Sequence, residues 1–327
     1  MTQMDGDRHA INWDTDDPIE QAQLYAYGEQ YELAEEEYRE VLAEDANNAE
    51  AYFGLARLYF AILDLPRAEQ TLQEGLRAVP ESAPLHSARA LLSLARGEAD
   101  AAREWLAKAE ALDPEHYHVS YARGRLLMDE SRYSEAAEQF RLAADRAPAV
   151  VAPFSFVQLG AALVEQAKEQ WSPEVGEAAV NAFLRAVEIH PQWELGYCFA
   201  VNYLRPHPDP EVPLSIAERG LVEFPSSKAI SLVALSPLIR AGRLEDAEFV
   251  VTELLPDLQH DVAGLIGVAE IIAEFPDLYP YALELLEFGD TNNPNNPAIT
   301  RALALIHAEM GNDEKAAHYR ARAQELS

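Results

Sequence analysis

One cysteine, Cys198, occurs in 327 residues. A lone thiol excludes an internal disulfide and a cysteine metal cage, and it suits a reducing cytoplasm, the expected compartment. Lysine is also scarce, at Lys108, Lys168, Lys228 and Lys315 only. Clustered basic groups that could grip a phosphate backbone are missing, so no nucleic-acid ligand is expected. No apolar run approaches the roughly 18 residues of a membrane span, and the N-terminus lacks the basic-then-apolar pattern of a secretory signal. Membrane insertion is therefore not expected. Alternation of apolar and polar residues is absent over any useful length, which removes β-strands from the expected fold.

Signatures of chemistry are missing as well. No G-x-S-x-G nucleophile elbow occurs. Gly54, Gly124, Gly160 and Gly196 stand singly rather than in a phosphate-cradling loop. Acidic pairs such as Asp16-Asp17 and Glu245-Asp246 are abundant because the whole chain is acidic, so no acid/base dyad stands out. His116 and His118 flank Tyr117 beside Glu115, but on a predicted turn with no second ligand pair nearby in sequence. No catalytic residue, metal or cofactor is expected, and the chain reads as non-enzymatic.

What is present is a period. Tyr52, Leu55-Ala56, Tyr59, Ala68, Leu72, Gly75 and Pro80 fall where two short antiparallel helices need a knob, a close approach, a second small crossing residue and a stop. The offsets recur before this stretch, at Ala22, Tyr25, Ala34, Tyr38 and Val41, and after it, at Ala90, Ala102, Leu106, Ala109 and Pro114, then Gly124, Leu127, Ala136, Phe140, Ala143 and Pro148. Pro80, Pro114 and Pro148 are spaced by 34 both times. Within the period, Tyr52, Leu55, Ala56 and Tyr59 lie at i, i+3, i+4 and i+7, one stripe of an α-helix. Asp64 and Pro66 then open the next helix.

At these residues the chain resembles the tetratricopeptide-repeat (TPR) family. The resemblance implies an all-α fold, an α-solenoid of about nine helix-turn-helix units stacked into a right-handed superhelix with a concave groove. A flexible leader, residues 1–14, would precede one solenoid domain over 15–327, with units near 15–48, 49–82, 83–116, 117–150, 151–193, 194–227, 228–262, 263–296 and 297–327. The fifth unit is stretched around Trp171 and Pro173, which lengthens its helices or the turn between them. The sixth has Pro213 where a small alanine belongs and a proline-rich, stiff link from Pro206 to Pro213. The seventh carries Pro237 inside its first helix.

Charge varies along the chain. The net charge is −31; residues 1–50 hold 15 acidic and two basic side chains, and residues 51–150 hold 15 and 12. Between Arg243 and Arg301 there are 12 acidic residues and no Lys or Arg. Such runs are usually a solvated surface; the alternative is that basic partners dock at the acidic ends.

In TPR proteins the ligand is usually touched from the second, fifth, ninth and twelfth positions of each first helix. Carried onto this chain, the resemblance places Glu50, Phe53, Arg57 and Phe60, then Leu91 and Leu94, then His118, Tyr121, Arg125 and Met128, then Phe154, Val157 and Val164, and finally Asn202 with Arg205, on the groove. Of these, Phe53, Arg57, Phe60, Leu91, Tyr121, Arg125, Met128, Phe154 and Asn202 are the expected partner-binding residues, since arginines among large apolar groups suit peptide recognition. The carboxylate clamp of some TPR co-chaperones is absent, its positions being Ile19, Gln23, Gly54, Pro84 and Ala88. The expected role is an interaction scaffold for a protein or peptide partner. The alternative is a homo-oligomer built head to tail, with Lys315, His318, Arg320 and Arg322 of the last helix meeting the acidic first unit of another copy.

Overall fold

The computed structural model describes residues 15–169 and 172–326. The expected leader, residues 1–14, and Trp171 at the fifth-unit insertion lie outside them. Among the described residues there are eighteen α-helices, a 3-10 turn at Pro276–Leu278 and no strand. No described helix is long and apolar enough to cross a membrane.

The chain divides into two compact units, the first ending at Leu204 and the second opening at Arg205. The first contains five hairpins: α1 (Pro18–Tyr27) with α2 (Tyr31–Glu44), α3 (Ala49–Ala61) with α4 (Leu65–Ala78), α5 (Ala83–Ala95) with α6 (Ala99–Leu112), α7 (Tyr117–Asp129) with α8 (Tyr133–Arg146), and α9 (Ala152–Glu169) with α10 (Pro173–Ile189). Helix α11 (Glu194–Leu204) closes it. The second contains α12 (Glu211–Glu223), then the hairpins α13 (Lys228–Arg240) with α14 (Leu244–Leu258), α15 (Val262–Ala273) with α16 (Tyr279–Asn292), and α17 (Pro297–Glu309) with α18 (Asp313–Glu325).

Local chemistry accounts for the hairpins. Asn48, Asp64 and Ser82 each accept a backbone N–H of the first helical turn, at 2.9, 3.0 and 3.3 Å, which satisfies a donor that the helix itself cannot pair. The turn inside each early repeat puts one residue at positive φ: Glu29, Leu63, Gly97 and Ser131, 34 residues apart. Ala34, Ala68, Ala102 and Ala136, at the same spacing, are fully buried where the helices cross. Three single glycines also stand at crossings: a Cβ added at Gly54 would lie 2.3 Å from the Tyr38 ring, at Gly124 2.7 Å from Phe140 and at Gly160 2.6 Å from Phe183, while at Gly196 it would meet Trp193, in the turn before its own helix, at 2.5 Å.

The irregular units resolve in particular ways. The fifth lengthens its helices, to 18 residues in α9 and 17 in α10, against 13 and 14 in α7 and α8. The proline link is shorter than the sequence suggests. Helix α12 starts at Glu211, so the link is 205–210, and Pro213 is buried within the first helical turn, where its missing N–H would have no partner in any case. Helix α13 runs through Pro237 to Arg240.

Candidate functional site

First helices of successive repeats lie side by side in the first unit: α1 on α3, α3 on α5, α5 on α7, and α9 on α11. Most of the residues expected to bind a partner lie on these helices, and some of them meet side chains of distant repeats.

Phe154 of α9 is the junction. Tyr27, the last residue of α1, stacks on it with ring centroids 4.6 Å apart, and Trp193 meets it edge-on at 5.0 Å. The Arg57 guanidinium of α3 lies 4.7 Å from the same ring, a cation–π contact worth about 0.5–2 kcal/mol depending on solvation. Tyr27 also meets His190 at 4.7 Å and Trp193 at 5.2 Å. Burial raises the Tyr27 hydroxyl well above the usual tyrosine value and the Tyr38 hydroxyl above it, and the charge of Arg57 opposes this in both.

A polar cluster adjoins it. Phe53 is only 7% exposed and stacks on His118 at 3.6 Å. The His118 Nε2–H donates to Glu50 Oε2 at 3.2 Å, the Tyr117 hydroxyl donates to the same oxygen at 3.5 Å, and His116 Nε2 lies 3.8 Å from the other. Nδ1 of His116 accepts the His118 backbone N–H and so caps α7. Burial pushes the His118 imidazole down to about 4, against the pull of Glu50. Burial acts to raise the Glu50 carboxyl, but His118, His116 and Tyr117 together outweigh it and hold the group below its ordinary value. At neutral pH the pair is a neutral imidazole donating to a carboxylate. Among the described residues no group of three or more His, Cys, Asp or Glu has the arrangement to hold a metal ion.

Of the nine expected residues, Phe53, Arg57 and Phe154 come together in this cluster. Tyr121 adjoins it: burial raises its hydroxyl, which Arg125 and Arg57 oppose, and its ring meets Phe140 edge-on at 5.6 Å. Arg125 is exposed and donates to Gln158 Oε1 at 2.9 Å. The other four stand apart. Phe60 is packed among Tyr38, Leu55 and Tyr59, Leu91 against the core around Leu106, and Met128 against the core around Phe140; Asn202 is exposed on α11. Val157 and Val164 are buried.

Tyr27, His190 and Trp193 belong to the site and were not singled out by the sequence as contacting it. A repeat register specifies which residues face inward and which neighbours they touch. It carries no signal for a contact between the first hairpin and the fifth.

The electrostatics of the two inner arginines differ from those of the second-helix arginines of the first unit, Arg77 excepted. Arg39, Arg67, Arg103 and Arg141 each have a carboxylate within ion-pair distance, at 2.9, 2.5, 2.7 and 2.7 Å. Among the described residues Arg57 and Arg125 have none within 4.0 Å; Arg57 lies over the Phe154 ring and beside the Tyr38 hydroxyl, and Arg125 donates to a neutral amide. On α18, Arg322 is held by Asp290 at 2.8 Å, whereas Lys315, His318 and Arg320 are exposed.

Two family models, each described as Tetratricopeptide repeat, match residues 27–92 and 87–150. Residues 27–150 are tetratricopeptide repeats. Solved structures share the fold of this protein. The human IFIT1 dimer with m7Gppp-AAAA is similar at a TM-score of 0.57 and 16% identity, over 94% of this chain and 70% of that one. PilW, described as a widely conserved type IV pilus biogenesis factor, is similar at 0.51 and 14%, over 64% of this chain and 93% of that one. At such identities the likeness concerns the fold alone. Comparison with curated protein sequences gives no match. TPR repeats typically mediate protein–protein interaction and are generally non-catalytic.

Proposed function

We propose that this protein is a non-enzymatic, cytoplasmic scaffold that takes a protein or peptide segment on the inner face of its first unit. The observation that carries the reading is the pair of inner arginines, Arg57 and Arg125, lying beside Phe154 and Tyr121 without a carboxylate of their own. In a chain with 56 acidic residues, cations left unneutralised on one face favour an incoming anion. An extended or helical segment with an acidic residue among apolar ones fits: the guanidinium supplies a charge-assisted hydrogen bond, bidentate where geometry allows, and the rings supply buried area.

Arg57 is fastened by its stack on Phe154, so changing it perturbs the unit's interior too. Arg125 is the cleaner probe. Peptides selected from a random display library against the full chain are expected to be acidic and aromatic or aliphatic. Their affinity by calorimetry should fall about 30-fold or more with Arg125→Glu, a hot-spot loss of about 2 kcal/mol, and hardly change with Arg103→Glu. Peptides that bind Arg125→Glu as tightly as the parent, but are lost on neutralising Glu35, Glu36 and Glu37, would move recognition to the acidic first hairpin and end the inner-face reading.

A further inference from the structure

The second unit contains a surface that this reading does not use. Between α14 and α16, the second helices of consecutive repeats, a crevice of about 310 Å³ opens over a buried floor that includes Leu235, Ile239, Ile272 and Leu285. The connection into α16 is longer than in the early repeats. It runs over 274–278 and includes the 3-10 turn, where the second repeat uses only 62–64. The walls are apolar and open to solvent: Leu244 is 48% exposed and Tyr281 59%. Large side chains at that exposure, side by side on a groove, are the signature of an interaction surface rather than of scattered exposed apolar residues.

The rim has one sign of charge. Glu248 on α14 and Glu284 on α16 both line the crevice and are exposed. Around them, the sequence between Arg243 and Arg301 has 12 carboxylates and no Lys or Arg. The cations at its edge are engaged elsewhere: Arg243 by Glu218 and Asp246 at 2.8 and 2.6 Å, Lys228 by Asp257, and Arg240 by the backbone carbonyls of Arg205 and His207. An apolar floor with carboxylates on both banks selects against acidic and purely polar segments, and it complements a helix whose apolar stripe is flanked by Lys or Arg.

We propose that this crevice is a docking site for a basic amphipathic helix of a partner protein, separate from the inner face of the first unit. Length supports a helix. Leu244, Ala247, Val251 and Leu255 line one wall and span about 16 Å at 1.5 Å per residue, some three turns. A ligand helix of that length places apolar groups at i, i+3, i+4 and i+7 on the floor and its basic flanks against Glu248 and Glu284. The exposed cations of α18, by contrast, sit on a strongly polar helix, DEKAAHYRARAQE, which lacks the stripe that a second copy would need to fill the crevice.

The test uses the full chain and a fluorescein-labelled helix of about 14 residues, with leucine at i, i+3, i+4 and i+7 and lysine elsewhere, read by anisotropy at about 0.15 M salt so that long-range attraction is screened. A scrambled peptide of the same composition, with its stripe broken, measures charge alone. The striped peptide should bind at least about tenfold more tightly than the scrambled one. E248K/E284K, two exposed positions, should weaken it by at least about tenfold, whereas D313K/E314K on α18 should leave it unchanged. Equal binding of both peptides, or equal losses from the two double variants, would reduce the effect to general attraction by an acidic protein and overturn the site. Failure of the striped peptide to bind would overturn it directly. So would sedimentation showing that the parent is a dimer that E248K/E284K dissociates, since a second copy would then occupy the crevice. Circular dichroism confirms that each variant is as helical as the parent. None of these outcomes depends on Arg125, so this site and the inner face stand or fall separately.

Discussion

Replacing Gly124 with alanine puts a methyl group where α7 crosses α8. On the present backbone the new Cβ would lie 2.7, 2.8 and 3.0 Å from three ring atoms of Phe140, a side chain with no exposed surface. Carbon atoms rest about 3.5–4.0 Å apart, so the ring and the helix must separate by about 0.7 Å or more. Two effects oppose each other. Helix propensity favours alanine over glycine by about 1 kcal/mol, and overpacking a core costs about 1–3 kcal/mol. Because the clash is with a rigid ring and not the end of a flexible chain, the upper part of that range applies. The net loss is about 1–2 kcal/mol, or a melting temperature lower by about 2–8 °C for a unit of this size. Gly267, inside α15, has nothing within 4 Å of an added Cβ. There the propensity term acts alone, and Gly267→Ala should gain up to about 1 kcal/mol. Thermal melts followed by far-ultraviolet circular dichroism compare the two. A Gly124→Ala protein that melts with or above the parent, or a Gly267→Ala protein that loses as much, would refute the crossing geometry.

Two further outcomes follow from buried ionisable groups. Burial holds His118 neutral down to about 4, so between there and its unfolded value of about 6.5 the unfolded chain binds more protons, and stability falls as pH falls through that window. Glu50, whose folded pKa is lowered, adds a loss below its unfolded value, so both act in the same direction. His118→Gln keeps a donor for Glu50 and removes the titration; denaturant midpoints should then decline less steeply from about pH 6.5 to 4, and a parent-like slope would place the proton uptake on another group. The Cys198 thiol is buried and raised to about 11, by burial and by Glu194 and Glu29. A thiol reagent at about pH 8 should therefore label the native protein slowly and the denatured protein at once; rapid native labelling would contradict that burial.

The period made the hairpins legible because it repeats the same three constraints: a buried alanine at the crossing, an aromatic or leucine packed under it, and a stop. Ala68 over Leu72 and Ala136 over Phe140 satisfy them in the first unit, and Ala282 with Leu286 still does so in the second. Pro213 was misleading because proline is judged by its missing donor, and that donor has no role in a first turn; the helix start moves to Glu211 and the link shortens. That the register sets Phe53, Arg57 and Phe154 near one another was legible. Their closure on Tyr27 and Trp193 was not, because nearest-neighbour stacking carries no information about contacts between distant repeats. For the same reason the stacking of Arg57, placed on the groove by the resemblance, on Phe154 of a distant repeat was not legible. The crevice beside α16 is lined in part by Leu278, from a connection with a 3-10 turn that neither the period nor the composition specifies.

The central claim is that an unneutralised guanidinium on the inner face recognises an acidic group of the partner. A charge swap tests it most directly. A peptide selected against the parent is resynthesised with its acidic residue changed to lysine, and both peptides are titrated into the parent and into Arg125→Glu. If the two charges touch, each single change should weaken binding by about 30-fold or more, and the two together should recover most of the loss, a coupling of about 2 kcal/mol or more in the double-mutant cycle. Losses that simply add, or a parent peptide indifferent to Arg125→Glu, would contradict the account.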